Sequence, residues 1–238
     1  MITVDFGRLN IKRGDCILDI GCGQGRHTCA VYDQDKANLI VGADANINDL
    51  YETQHRLTFH QELEPHSITS WALSSADITH LPFKDHTFDM VICSEVLEHI
   101  ADDNQAACEL IRVLKPGCIL VISVPRYYPE CICWKLSYAY FHSPGGHIRI
   151  YTQQSIISLF KTKGLTLTHV HYAHSFHTPY WWLKCLLGLN RTNRFIIKLY
   201  HHFLVWEMIK KPKITAWLDW LLNPILGKSL VLYFIKSF

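Results

Sequence analysis

The chain has 238 residues, of which 49% are apolar and 18% are charged. This composition is typical of a folded globular protein and excludes a disordered or fibrous one. The net charge is only +2, so the overall charge gives no reason to expect a nucleic-acid partner. The nine cysteines are scattered and form no CxxC pair, so we interpret them as reduced thiols of a cytoplasmic protein.

Hydropathy gives no sign of a targeting or membrane-spanning segment. The first residues, MITVDFGRLNIKRGD, lack the apolar run of a signal peptide. No stretch reaches the roughly 18 uncharged apolar residues that a membrane-spanning helix needs. We therefore expect a cytoplasmic protein, and peripheral contact with a membrane is left open.

The first half of the chain alternates short apolar runs with helical patterns, which predicts a parallel sheet covered by helices. The sequence LKPG is predicted to stop the last of these helices, with proline and glycine just past its end. Five strand units of this kind predict a doubly wound α/β fold. The predicted elements are strands at 16–20, 39–43, about 71–76, 88–93 and 118–124, and helices at 26–33, 47–63 and 102–114.

The second half is less regular. Residues 126–150 are rich in aromatics, histidine and glycine, which indicates an irregular loop or short helices over the strand ends, and we expect an active-site loop there. A helix at 152–163 and a strand at 165–171 resume the alternation, residues 174–228 have a helical pattern, and SLVLYFIK is the last predicted strand. No linker divides the chain, so we expect one domain over residues 1–238.

A glycine-rich turn follows the first predicted strand, in the sequence LDIGCGQGRHT. Glycines at 21, 23 and 25 lack a Cβ and let backbone approach a ligand closely. Their GxGxG spacing differs from the GxGxxG of dinucleotide-binding folds, and Asp19 would repel a pyrophosphate. An acid beside an open turn instead favours a cationic ligand. S-adenosylmethionine, with a sulfonium, an ammonium and no phosphate, meets that requirement.

Two further groups of side chains agree with this ligand. Asp44 ends the second predicted strand, where a carboxylate can accept hydrogen bonds from both ribose hydroxyls. Asp77 and Ile78 suit the amino group and the face of an adenine. Ser94 and Glu95 end the fourth predicted strand, and ligands of open α/β sheets bind outside such carboxyl ends.

The run from about Cys16 to Pro125 resembles the class I S-adenosylmethionine-dependent methyltransferases. LDIGCGQG resembles their first signature and GADAN their second, and the later segments LPFKDHTFD, LEHI and LKPG resemble the remaining ones. The resemblance is strongest to the branch that includes the ubiquinone and menaquinone C-methyltransferases and many small-molecule and lipid methyltransferases. It implies a Rossmann-like sheet of seven strands, mostly parallel, whose last strand is antiparallel and inserted beside the sixth.

Alternatives to a cofactor site remain open for these residues. The glycine turn occurs as a structural turn in other α/β proteins, Asp44 and Asp77 can cap helices, and Glu95 can be a solvated acid at a helix start. His99 can pack or bond across the floor of the cleft. The residues that we expect at S-adenosylmethionine are Asp19, Gly21, Cys22, Gly23, Gly25, Arg26, His27, Asp44, Ala45, Asp77, Ile78, Ser94, Glu95 and His99.

Methyl transfer is an in-line displacement in which the cofactor carries the difficult chemistry and the protein aligns the nucleophile. A general base is needed only where the acceptor must first lose a proton. The candidates for that role are His142 and His147, in YFHSPGGHIRIY, with Tyr151 behind them. The alternative is that GGHIRIY is a rigid connection whose polar side chains bond to backbone.

A group of histidines late in the chain raises the question of a metal. His169 and His171 share one face of a predicted strand, and His174 and His177 follow closely. No neighbouring cluster of cysteine, aspartate or glutamate completes a site, so we expect no metal.

Residues 174–228 combine five tryptophans with an excess of basic over acidic residues. We expect this segment to be a helical insertion within the domain that caps the substrate. Its pattern indicates a surface that rests on a membrane interface or covers an apolar substrate, and equally a helical cap packed on the sheet. Stacking on RNA bases is a weaker alternative. We expect a methyltransferase for a small, hydrophobic or lipid-like acceptor, on carbon or oxygen. The alternatives are a catalytically silent interaction protein and another nucleotide-using α/β enzyme such as a dehydrogenase.

Overall fold

The computed structural model describes residues 1–143, 145–189, 194–210 and 212–238. In this part of the chain, seven strands form one sheet in which each strand is hydrogen-bonded to its neighbours. In chain order the strands are β1 (Cys16–Ile20), β2 (Leu39–Asp44), β3 (Ser70–Ser75), β4 (Phe88–Ser94), β5 (Leu114–Pro125), β6 (Leu165–Ala173) and β7 (Ser229–Lys236).

The sheet order is β3-β2-β1-β4-β5-β7-β6. Strands β1 to β5 are parallel to one another, whereas β7 runs antiparallel to both β5 and β6. This confirms the predicted seven-stranded, mostly parallel sheet with an antiparallel last strand beside the sixth. The direction of winding reverses between β1 and β4, and in open α/β sheets this switch point opens a crevice at the carboxyl ends of the strands.

Helices cover both faces of the sheet because alternate residues of each strand point to opposite sides. Ile17 packs with Val31 and Leu57 on one face, and Leu18 packs with Leu110 on the other. The helices are α1 (Arg26–Tyr32), α2 (Ile47–Leu63), α3 (Asp103–Val113), α4 (Tyr127–Leu136), α5 (Tyr138–Phe141), α6 (Gln153–Lys161), α7 (His177–Leu187), α8 (Phe195–Lys210) and α9 (Lys213–Leu226).

The start of β5 differs from the prediction. LKPG was expected to lie between a helix and a strand at 118–124, but β5 begins at Leu114. Leu114 pairs with Phe88, and the register then shifts so that Met90 pairs with Ile119. The extra residues on β5 form an irregularity that Gly117, with φ +73°, makes possible. Pairing with β4 therefore extends the strand into the segment that the helix-stop signal had assigned to a connection.

Helices are present both in the predicted active-site loop and in the predicted helical segment late in the chain. In the predicted loop at 126–150, α4 and α5 occupy the first part, and Pro144 lies outside the described residues. In the predicted helical insertion at 174–228, α7, α8 and α9 are present. Residues 190–193 and 211, which include two of its basic residues, lie outside the described part. The roles of both segments at an acceptor stay predictions.

Candidate active site

A cavity of about 480 Å³ opens at the carboxyl ends of β1, β2 and β4, at the switch point of the sheet. Its wall brings together segments that are far apart in sequence, as expected of a site in this crevice. The predicted cofactor residues on its wall are Gly21, Cys22, Gly23, Arg26, His27, Asp44, Ala45, Asp77, Ile78, Ser94, Glu95 and His99.

The glycine turn is held against the neighbouring strand. The backbone N–H groups of Gly21 and Cys22 both donate to the carbonyl of Ala43, at 2.7 and 3.1 Å. Gly21 and Gly23 have φ values of +67° and +51°, in the left-handed region that favours glycine. A Cβ on Gly21 would lie 2.2 Å from a methyl of Val96, whereas a Cβ on Gly23 would meet open space. The turn thus leaves room for a ligand at Gly23.

Asp44 is fixed in position by two backbone donors. Its Oδ2 accepts from the N–H of Gly23 and its Oδ1 from that of Asn46, both at 2.8 Å. Each carboxylate oxygen keeps lone-pair capacity for a further donor, such as a ribose hydroxyl. The alternative role as a helix cap belongs to Asn46, whose side chain accepts from Asn48 at the start of α2. Asp44 is therefore a preoriented acceptor on the cavity wall.

Asp19 and Gly25 do not line the cavity, and this corrects the expectation that they contact the ligand. Asp19 is buried behind the turn, where the hydroxyl of Thr28 donates to its Oδ2 at 2.6 Å. Burial raises the pKa of this carboxyl to about 6. Gly25 adopts a left-handed conformation at the start of α1, and a Cβ there would overlap Thr53. Both residues position α1.

Asp77 and Ile78 form the part of the wall that follows β3. Two donors of Thr79, its backbone N–H and its hydroxyl, bond to Oδ1 of Asp77 at 2.8 Å. These bonds hold the pKa of the Asp77 carboxyl below its usual value. Ile78 is only 3% exposed and presents an apolar surface. An apolar face beside a carboxylate acceptor matches an adenine and its amino group.

Glu95 has a conformation that a non-glycine residue rarely adopts, with φ +57°. Its N–H donates to the carbonyl of Ser123, and the hydroxyl of Ser123 donates to Glu95 Oε1 at 3.2 Å. Strained backbone of this kind persists where the surrounding contacts determine it, and it clusters at functional sites. Ser94 shares hydrogen bonds with Ser123 and Thr3. The end of β4 is thus built around an acid on the cavity wall.

Beside His99 the structure places a buried polar cluster. Glu98 is fully buried. Its burial is the main reason, and repulsion from Glu95 the second, why the pKa of its carboxyl is well above the usual value. Glu130 is 1% exposed, and its Oε1 lies 2.6 Å from Nδ1 of His147. The rings of His99 and His147 have centroids 5.0 Å apart. His147 therefore lies behind His99, whose ring separates it from the cavity.

The other two predicted catalytic residues do not line the cavity. Tyr151 is 6% exposed, and its hydroxyl donates to Oδ2 of Asp103 at 2.6 Å, which fixes the start of α3. Its burial also raises the pKa of the phenol. His142 is exposed, and its ring stacks on Tyr138 with centroids 3.8 Å apart. Neither residue lines the cavity, and a role of this segment at the acceptor stays a prediction.

Sequence analysis did not identify several residues of the site. Thr3 and Lys228 lie on the cavity wall although they come from opposite ends of the chain. Glu98 and Glu130 were passed over because one lies within a signature and the other within an unassigned helix. No local spacing links any of these residues to the glycine turn, so only the folded chain brings them together.

The strand order and the antiparallel last strand are those of the fold of the class I S-adenosylmethionine-dependent methyltransferases. The family profile described as a methyltransferase domain matches residues 18–122. S-adenosylmethionine is accordingly the cofactor of this domain, and the open space at Gly23 and the orientation of Asp44 fit it.

A demethylmenaquinone methyltransferase of Lactiplantibacillus plantarum is 37% identical over 117 residues, which are 49% of this chain and 47% of that protein. The chain thus matches less than half the length of this relative. A S-adenosylmethionine-dependent methyltransferase structure from Mesorhizobium loti covers 96% of this chain and 94% of its own, with a TM-score of 0.57 and 15% identity. The structure of the [4+2]-cyclase SpnF matches 98% of this chain and 79% of its own chain, with a TM-score of 0.61 and 19% identity.

At identities this low the two structures show the fold alone. One of them is named for a cyclisation, so the reaction of this chain has to be argued from its own site. Among the described residues, none of the helices has the length and apolar character needed to cross a membrane.

Proposed function

We propose that this protein transfers the methyl group of S-adenosylmethionine to a carbon or oxygen nucleophile of a small, hydrophobic acceptor. The observation that carries the proposal is the cavity at the switch point, where the glycine turn, Asp44 and Asp77 converge on one volume. The alternative is a catalytically silent protein that binds the cofactor or a partner without transferring the methyl group.

Each part of the cofactor has a complementary group on the wall. Asp44 accepts hydrogen bonds from the ribose hydroxyls. Ile78 packs on the adenine ring, and Asp77 accepts a hydrogen bond from the adenine amino group. The guanidinium of Arg26 matches the carboxylate of the methionyl part, and Glu95 matches its ammonium. Gly21 and Gly23 let this part approach the backbone closely.

The reaction needs little chemistry from the protein. The bond between sulfur and the methyl carbon breaks, its electron pair stays on sulfur, and a new bond forms between that carbon and the acceptor. The protein holds the nucleophile in line with the breaking bond. An acceptor that has to lose a proton needs a base, and the predicted candidate His147 lies beside His99 of the cavity wall.

The direct test is transfer of labelled methyl from S-adenosylmethionine to apolar acceptors such as quinols, phenols and isoprenoids. We expect label in the organic extract, together with S-adenosylhomocysteine in equal amount. A matched set of polar acceptors controls for substrate class. Tight cofactor binding without transfer to any acceptor of either set would favour the catalytically silent alternative.

Support for an apolar acceptor comes from the helices α8 and α9 and from the relative that is named for demethylmenaquinone. The most exposed apolar side chains of these helices are solvated over more than half of their surface. We call them the α8–α9 surface: Phe195, Ile196, Leu199, Ile209, Ile214, Trp217, Trp220 and Ile225.

We further propose that the α8–α9 surface rests on an anionic bilayer, from which an apolar acceptor would be drawn. The exposed lysines Lys210 and Lys213 lie at the junction of the two helices. Basic side chains beside exposed tryptophans are the composition of helices that lie in a membrane interface. Apolar patches of this kind are uncommon on proteins without a docking partner.

We expect the protein to sediment with vesicles of phosphatidylglycerol and phosphatidylcholine, and less with phosphatidylcholine alone. Replacing Trp217 and Trp220 together by serine should weaken binding roughly tenfold or more, because both large apolar side chains lose their burial in lipid. Replacing Tyr51 and Phe59, which are exposed on α2, is the matched control. Equal sedimentation of both double variants would contradict the proposal.

A further inference from the structure

Three side chains beside the cofactor cavity are arranged as metal ligands are. Glu98, His99 and His147 each offer one ligand atom, and these atoms all lie within 4.8 Å of one another. His99 is also part of the cavity wall, so the cluster borders the place where the acceptor must meet the cofactor.

Neither carboxylate oxygen of Glu98 has a hydrogen-bond partner among the described residues, although the side chain is fully buried. Buried polar atoms in folded proteins are almost always hydrogen-bonded, and an unpaired buried carboxylate is strongly unfavourable. Its Oε1 lies 4.0 Å from Nε2 of His99. The orphaned carboxylate thus points to a cation that is to be held here.

Both histidines use the same ring nitrogen, Nδ1, in contacts away from this carboxylate. Nδ1 of His99 lies 3.2 Å from the carbonyl of Gly146, and Nδ1 of His147 lies 2.6 Å from Oε1 of Glu130. Histidines that bind metals usually donate one ring N–H to a carbonyl or a carboxylate, which orients the other nitrogen toward the metal. Here that leaves Nε2 of each ring as the ligand.

We propose that Glu98, His99 and His147 bind one divalent transition-metal ion, with Glu130 as the carboxylate that orients His147. Two imidazoles and one carboxylate with open positions form the ligand set of catalytic zinc and of non-haem iron sites. Bonds of about 2.1 Å would bring the ligand atoms to within roughly 3 to 4 Å of one another, so binding requires them to close by about 1 Å. This proposal differs from the expectation, drawn from the sequence, that the protein binds no metal.

The role of the ion rests on the proposed methyl transfer. An acceptor hydroxyl that binds at an open position loses its proton to solvent more easily, because the metal stabilises the resulting oxyanion. That oxygen then forms the new bond to the methyl carbon while the carbon–sulfur bond breaks. His147 in this case is a ligand and not the general base.

The test is titration of chelator-treated protein with Co²⁺, followed by visible absorption, and with Zn²⁺, followed by calorimetry. We expect one equivalent to bind, and we expect Glu98→Gln and His147→Asn each to weaken binding at least 100-fold. Glu130→Gln should weaken it by 10- to 100-fold through the orientation of His147. His55→Asn, on the exposed face of α2, and His169→Asn, on β6, are matched controls that should bind normally.

Affinity for S-adenosylmethionine is measured on the same samples and reports whether each variant is folded. Cofactor binding without metal binding, or metal binding that survives Glu98→Gln, overturns the metal site and leaves the proposed function untouched. Metal binding in a protein that does not bind S-adenosylmethionine supports the site and removes the proposed function.

Discussion

Replacing Asp44 by alanine is expected to lower the affinity for S-adenosylmethionine by at least 100-fold. In the proposed site the carboxylate accepts from both ribose hydroxyls, and hydrogen bonds to a charged group contribute about 1.5–3 kcal/mol each. It also holds the N–H groups of Gly23 and Asn46, so its loss loosens the glycine turn. Because β2 ends at this residue, the sheet itself should be little affected.

Calorimetric titration with S-adenosylmethionine and S-adenosylhomocysteine measures this loss. Asp49→Ala is the matched control, since it removes a carboxylate from the first turn of α2, where it bonds to the Asn46 side chain. We expect this control to bind within about threefold of the wild type. An Asp44→Ala protein that binds equally well, while unfolding at an unchanged temperature, would place the ribose elsewhere.

Replacing Gly21 by alanine is expected to destabilise the fold by about 2–5 kcal/mol. A left-handed backbone costs an L-residue roughly 1–2 kcal/mol, and overpacking adds about 1–3 kcal/mol. The new Cβ would lie 2.2 Å from Cγ2 of Val96. Gly23→Ala shares the backbone cost but meets open space, so it should destabilise the fold by only about 1–2 kcal/mol. Its methyl group enters the cofactor volume.

Urea unfolding of the two alanine variants measures this difference, and cofactor titration should show the loss of binding by Gly23→Ala. Adding Val96→Ala to Gly21→Ala should recover part of the lost stability, because it removes the side chain that the new methyl meets. Equal destabilisation by both single variants would mean that contact with Val96 does not limit residue 21.

The cofactor half of the site was predictable because its signals are local. A glycine turn and an acid one strand later are fixed by a single strand-helix-strand step, and Asp44 lies where this spacing predicts. Glu98 and His147 could not be paired from the sequence, since nothing periodic connects a turn after β4 with a segment before α6. The start of β5 was missed because pairing with β4 outweighs the local helix-stop signal.

Asp19 shows another limit of the same kind. Its spacing from the glycines suggested contact with a cation, but the direction of a side chain depends on strand alternation and on the helix that covers that face. In the folded chain the carboxylate points to Thr28 and not to the cavity. The spacing predicts that Asp19 belongs to the glycine turn, and packing determines which group its carboxylate contacts.

The pairing of β6 with β7 gives the insertion between them an unusual freedom. Ala173 and Ser229 are register partners, so the whole of 174–228 leaves the sheet and returns to it at one point. The entropic cost of closing such an excursion grows only slowly with its length. An insertion of another size or sequence could therefore start and end at the same two residues without shifting the strands that carry the cofactor, and acceptor choice could diverge among proteins of this architecture while their cofactor chemistry stays constant.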